Sequence, residues 1–190
     1  MMLCSKITAV WPALLIVSAL LARAPATAAE PLPLAEHQIK ALYLFNFTKY
    51  VEWPAASNAT PFTIGIHAAP EVRNDLLDIT RGKRIQGREI VVRTITTAQD
   101  VQACQLVFIG TTDKPRIAAL LQRAQDAVVL TVGDAESFLA LGGMVNFMRQ
   151  ENKLRIEIGL DAVQRTRLVM SAKLLAVAGT IKGRVEPPRK

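Results

Sequence analysis

The chain has 190 residues, a formal net charge of +7 and two cysteines, Cys4 and Cys104. That length suits one compact domain with a sizeable core. Two cysteines and two well-separated histidines, His37 and His67, give no cluster with zinc-ligand spacing.

Residues 1–29 read as a secretory signal peptide. Lys6 supplies the positive start, Ile7 to Leu21 is uncharged and apolar, and Ala26-x-Ala28 offers small residues for cleavage after Ala28 or Ala29. The apolar run falls short of the roughly 20 residues that span a bilayer. Removal takes Lys6, Arg23 and no acid, so the net charge drops from +7 to +5. A mildly basic exported domain fits an acidic partner or an anionic surface and makes nucleic acid a poor candidate. Cleavage also leaves Cys104 as the sole thiol, which rules out an intramolecular disulfide. Cys104 reads as a small core residue just before a strand, with a redox or intermolecular role as the alternative.

Residues 30–181 form the expected single domain and 182–190 a disordered basic tail. Leu34 to Val51 is predicted as a helix, with Ile39, Leu42, Tyr43, Phe47 and Tyr50 on one face. Leu44, Phe45 and Val51 fall on other faces, so the helix is apolar almost all round and buried on two sides. Trp53-Pro54 is expected to end it. A regular alternation follows: strand 62–67, helix 71–79, strand 90–95, a helical turn near 97–102, strand 106–110, helix 113–125, strand 128–132 and a helix from Asp134. Nearly continuous apolar strands alternating with helices predict an α/β fold with a mostly parallel sheet. Residues 142–149 and 153–158 instead alternate apolar and polar residues around Gln150-Glu151-Asn152, which predicts a C-terminal antiparallel hairpin at a sheet edge. Helical segments at 160–166 and 171–177 complete the domain.

Little in this order supports catalysis. His67 ends the first strand, where α/β sheets place ligands, and is the candidate ligand-binding residue. Cys104 precedes a strand and should sit at the opposite end of the sheet, out of reach of His67. There is no G-x-S-x-G elbow, and the turn His67-Ala68-Ala69-Pro70 lacks the glycines of a dinucleotide fingerprint. In Arg81-Gly82-Lys83-Arg84, an arginine stands where a phosphate loop needs Ser or Thr, so the cluster reads as a solvated turn or a contact for an acidic protein or an anionic headgroup. Asn46 is expected to tie the first helix to a neighbouring backbone, and Trp53 to be either a core lid or an exposed anchor. Gly142-Gly143 fits a turn that needs positive φ. The late apolar residues, Leu168, Leu174 and Leu175 among them, exceed what one packed face consumes and are candidate partner contacts together with Trp53.

With those residues in view, the chain resembles the YfiR-like family of periplasmic proteins. The resemblance runs from His37-Gln38-Ile39-Lys40-Ala41 through Leu44-Phe45-Asn46-Phe47, Val51-Glu52-Trp53-Pro54 and Gly82-Lys83 to Gly87-Arg88. It continues with Cys104 before Leu106-Val107-Phe108-Ile109, then Val129 to Val132, Gly142-Gly143-Met144-Val145-Asn146-Phe147, and Leu154 to Ile158, covering roughly residues 36–178. It implies a Rossmann-like three-layer α/β sandwich in which Asn46, Trp53, Pro54, Gly142, Gly143 and Asn146 are structural motif positions. It also implies a non-enzymatic periplasmic repressor, without a cofactor, that binds the periplasmic sensor domain of an inner-membrane diguanylate cyclase. Lower cyclic-di-GMP signalling and less biofilm would follow. Expected partners extend to an OmpA-like outer-membrane lipoprotein and a second copy of the chain. The alternative is a periplasmic small-ligand sensor acting with a histidine kinase or other receptor. The family's disulfides do not carry over to a chain whose mature part holds Cys104 alone.

Overall fold

The structure, a computed structural model, describes residues 34–54, 61–125 and 127–183. The expected signal peptide, and the tail from residue 184 onward, lie outside the described residues.

The chain enters through α1 (Glu36–Tyr50), then β1 (Val51–Glu52), β2 (Phe62–His67), α2 (Pro70–Thr80), β3 (Arg84–Ile85) and β4 (Arg88–Thr94). A 3₁₀ turn (Gln99–Ala103) leads to β5 (Leu106–Ile109), α3 (Lys114–Gln125), β6 (Leu130–Gly133), β7 (Val145–Gln150) and β8 (Lys153–Gly159). The last elements are α4 (Leu160–Gln164), β9 (Val169–Met170), α5 (Ala172–Val177) and β10 (Thr180–Lys182). Among the described residues, eight strands make one sheet in the order β10-β8-β7-β6-β5-β2-β4-β3, while β1 and β9 pair separately. Neighbours from β4 through β7 run parallel; β8 turns back against β7, and β10 lies parallel to β8.

Strand alternation divides the interior in two. Leu106 and Phe108 face a core shared with α1 and α2, whereas Val107 and Ile109 face a second core built on α3. Three layers result, as the continuous apolar strands require. At the centre of the first core, Phe47 of α1 stacks on Phe147 of β7 at 6.0 Å between ring centroids, and Tyr43 and Phe108 close on Phe147 at 5.9 and 6.1 Å.

Several expectations change. The buried residues of α1 are Ala41, Leu44, Phe45, Phe47 and Thr48. Leu42 and Tyr50, expected on the buried face, are each 38% exposed. When nearly every position is apolar, periodicity cannot choose the face. The helix also stops before Trp53-Pro54, because Val51 and Glu52 become extended to pair with Met170 and Val169. No helix starts at Asp134. Residues 136–142 form turns, closed by Phe138 N–H to Ala135 O (2.9 Å) and Gly143 N–H to Phe138 O (3.0 Å). The Phe138 ring sits on the backbone here: a Cβ at Gly143 would lie 2.2 Å from it, and one at Gly133 would lie 2.3 Å away. Gly142 supplies the expected positive φ, at +97°. The hairpin forms as β7 and β8, with Glu151 and Asn152 both left-handed, which is the two-residue turn matched to strand twist. It is not the sheet edge. β10 covers β8, and Lys182, expected in the tail, is its last residue.

Phe47 is 1% exposed and touches both layers of this core. Phe47→Ala is expected to lower unfolding stability by about 3–5 kcal/mol in urea denaturation, with secondary structure retained at low denaturant.

Candidate docking surface

Residues with chemical capacity are mostly occupied in holding the fold. His67 ends β2 at the point where strand order reverses between β2 and β5, the usual crevice of an α/β sheet. Here β2 and β5 stay bonded past the end of the strands. Gly110 N–H donates to His67 O at 2.9 Å, and a Cβ on Gly110 would stand 2.9 Å from the Ala69 methyl. The His67 ring spans three elements: Nδ1 lies 2.9 Å from Ile95 O, and Arg116 Nε donates to Nε2 at 3.4 Å. A carbonyl on one side and a guanidinium on the other require the neutral tautomer with its proton on Nδ1. His67, the candidate ligand residue, also links three elements of the fold.

Cys104 is buried, and its thiol donates to Asp100 O at 3.5 Å. It packs over Gly65, where a Cβ would come within 2.9 Å of the sulfur. Burial pushes the thiol pKa up to about 11, despite the opposing pull of Arg93. A thiol kept protonated and covered is a poor nucleophile. Asp100 ties the same turn: its Oδ2 accepts from Thr97 N–H (2.8 Å), Thr96 N–H (3.1 Å) and the Thr96 hydroxyl (3.1 Å). Those bonds, the Thr97 amide first, hold its carboxyl at about 2. At the carboxyl end of the sheet, Lys40 bridges Glu36 and Asp134 at 2.8 Å each, and Arg149 holds Glu36 at 2.5 Å. Burial alone would depress the Lys40 pKa, but Asp134 and Glu36 carry it above its ordinary value.

The basic cluster at 81–88 is largely paired within the fold. Gln86 and Gly87 are left-handed and turn β3 back onto β4, with Arg84 donating twice to Gly87 O. Arg81 meets Asp78 at 2.7 Å, and Lys83 lies over the Phe45 ring at 4.8 Å. Arg88 is buried against the Phe62 ring and donates to Pro61 O.

The expected partner contacts move inside. Trp53 is buried, edge-on to Phe62 at 5.0 Å, and its indole N–H donates to Gln105 O at 3.0 Å, which makes it a core lid. Leu168, just before β9, and Leu174 of α5 are buried too, and Leu175 is half-buried, because all three pack into the first core. The same segment leaves Val169 (58%) and Val177 (62%) exposed. Asn46 is half-buried, and among the described residues its side chain accepts from Lys49 of its own helix and ties α1 to no other element. The wholly buried asparagine is Asn146 of β7, opposite Glu157, whose amide has no hydrogen-bond partner among the described residues. Sequence does not rank these two, since both stand among apolar neighbours. Pro54 closes the run after Trp53. Among the described residues, no three His, Cys, Asp or Glu side chains are grouped to hold a metal, and no helix is long and apolar enough to cross a membrane.

This architecture is a Rossmann-like three-layer sandwich. A conserved domain protein from Vibrio cholerae O1 biovar El Tor strain N16961 is similar in fold, with a TM-score of 0.51 and 14% identity. The likeness covers 78% of this chain and 61% of that one. No curated protein matches the chain. The chain belongs to the YfiR/HmsC-like family, whose model matches residues 37–179, and this is a family of periplasmic regulatory proteins.

Two outcomes test the structural roles of the 3₁₀ turn. Iodoacetamide should modify Cys104 slowly in the native protein at mildly alkaline pH and rapidly once urea unfolds it. Asp100 has a folded pKa below its ordinary 3.8, so its contribution to stability is full above that value and fades as pH falls toward 2. Asp100→Ala should therefore be less stable than wild type at neutral pH, with the gap in melting temperature narrowing through that acid window.

Proposed function

We propose that the mature chain is a periplasmic repressor. It docks on the sensor domain of an inner-membrane diguanylate cyclase and lowers cyclic-di-GMP signalling and biofilm formation. The family match over residues 37–179 carries this reading. The geometry supports it from another side, because His67 and Cys104, the side chains with the most chemical capacity, serve as internal ties. What the molecule offers outward is surface. Export through residues 1–29, release by an OmpA-like outer-membrane lipoprotein and pairing with a second copy belong to the same proposal. Docking is assigned to the margin of β9 and α5, where Val169 and Val177 replace the buried Leu168 and Leu174 as candidate contacts.

The test is capture of membrane proteins on the immobilised mature domain, read by mass spectrometry. An inner-membrane diguanylate cyclase should be recovered by wild type and lost with Val177→Asp, whose melting temperature stays unchanged because the side chain is exposed. Leu174→Asp should instead unfold the domain. Failure of wild type to retain any diguanylate cyclase would sink the repressor reading.

A further inference from the structure

One side of the large sheet ends at β3, which is far shorter than the strand it covers. β3 pairs Arg84 with Glu89 and Ile85 with Arg88, and just before it Lys83 N–H turns back to Thr80 O at 2.9 Å. Beyond Ile90, β4 runs on to Thr94 with no strand on that side among the described residues. The opposite side fixes which way its peptide groups point. Ile95 N–H donates to Ile66 O of β2 at 2.8 Å, so the backbone of Val91 and Arg93 also turns toward β2. The N–H and C=O groups of Val92 and Thr94 therefore turn outward, and among the described residues no hydrogen bond meets them. The next residue does not cover them, since Ile95 belongs to the second core and packs over Gly65 of β2. Ile90, Val91 and Val92 are consecutive β-branched residues in unbroken register on β2, without the proline or bulge that blunts an edge.

The surroundings choose the occupant. An open groove of about 560 Å³ runs beside Ile90, lined also by Leu77, Arg81, Lys83, Arg84 and Glu89. Arg81 is met by Asp78, and Glu89 stands opposite Arg84 in register. Lys83 has no acid: it lies over the Phe45 ring at 4.8 Å, and Lys49 of α1 lies over the same ring at 4.2 Å. A ring holds an ammonium group without cancelling its charge, so positive charge gathers at this end of the edge. Arg93 is exposed at the other end, where Asp100 is already held by the Thr96 and Thr97 amides. We propose that the outer edge of β4 docks an extended acidic segment of a protein partner, which adds to the sheet as a further strand. The backbone of Val92 and Thr94 supplies register, Leu77 and Ile90 receive an apolar side chain, and Lys83 with Lys49 selects an acidic one. This edge is separate from the margin of β9 and α5, so it goes beyond the repressor reading and stands or falls apart from it.

Hydrogen exchange reads the edge directly. In the free protein the amides of Val92 and Thr94 should exchange at least about tenfold faster than those of Val91 and Arg93. The probe is a synthetic peptide of alternating Val and Glu, with alternating Val and Lys as control. The Glu peptide should slow exchange at Val92 and Thr94, weaken with salt and bind at least about tenfold tighter than the Lys peptide. Thr94→Pro removes one outward N–H and spares the ladder to β2, so it should lose about tenfold or more with its melting temperature retained. Lys83→Glu, the second variant, should erase or reverse the preference between the peptides while the free exchange pattern stays as in wild type. Slow exchange of Val92 and Thr94 in the free protein at every dilution would show the edge already covered and overturn the proposal. Protection that fades on dilution would overturn it too, by seating a second copy there. So would no binding, equal binding of both peptides, protection confined to other elements, or phosphatidylglycerol vesicles protecting these amides in place of the peptide.

Discussion

The ring cluster of Phe47, Phe147, Phe108 and Tyr43 is the contact on which the rest of the structure depends. One helix, a central strand and the first strand of the final hairpin meet there, with centroids about 6 Å apart. Each aromatic pair adds roughly 0.5–1.5 kcal/mol beyond its burial. The geometry matters as much as the energy. Phe147 projects from the first half of β7, so α1 fixes where the hairpin leaves the parallel sheet. Without α1, the antiparallel end of the sheet would have one side of its core uncovered. The density of aromatics between Tyr43 and Trp53 is therefore an architectural requirement.

How much of this was legible in the sequence varied with the physics of each element. Strands β2, β5 and β6 were plain because strands covered on both faces must be continuously apolar, and α2 and α3 because each buries one stripe. The orientation of α1 was not legible, since a stripe cannot be read where apolar residues surround the axis. The stretch after Asp134 looked helical by local preference, but Phe138 lying on two glycines leaves no room for a helix. Short pairings such as β1 with β9, and β10 on β8, have no sequence signature, because two or three residues carry no period. Family resemblance was readable from motif order, yet it said nothing about which leucines would be buried. Asn46 and Asn146 show the limit most directly: the same side chain, in similar company, ends up half-exposed on one element and sealed on the other.

Charge followed a similar division. The dense cluster at 81–88 drew the eye in sequence, but rings, carbonyls and Asp78 engage most of it. The sparser cations between 153 and 183 are all exposed. Local density was a poor guide to electrostatic availability; what mattered was whether the fold supplied partners nearby.

The union of the chain's beginning with its end carries a consequence in time. Val51 pairs with Met170, Tyr50 O accepts from Ser171 N–H, and the helix bearing the key aromatics leans on α5. A chain delivered from its amino terminus would therefore hold α1 ready long before the segment that covers it arrives. Contacts so distant in sequence slow the search for the native state, and an apolar helix left waiting is open to misassociation. Escort by a chaperone would matter most during that interval, and truncations that remove β9 would strand the first helix.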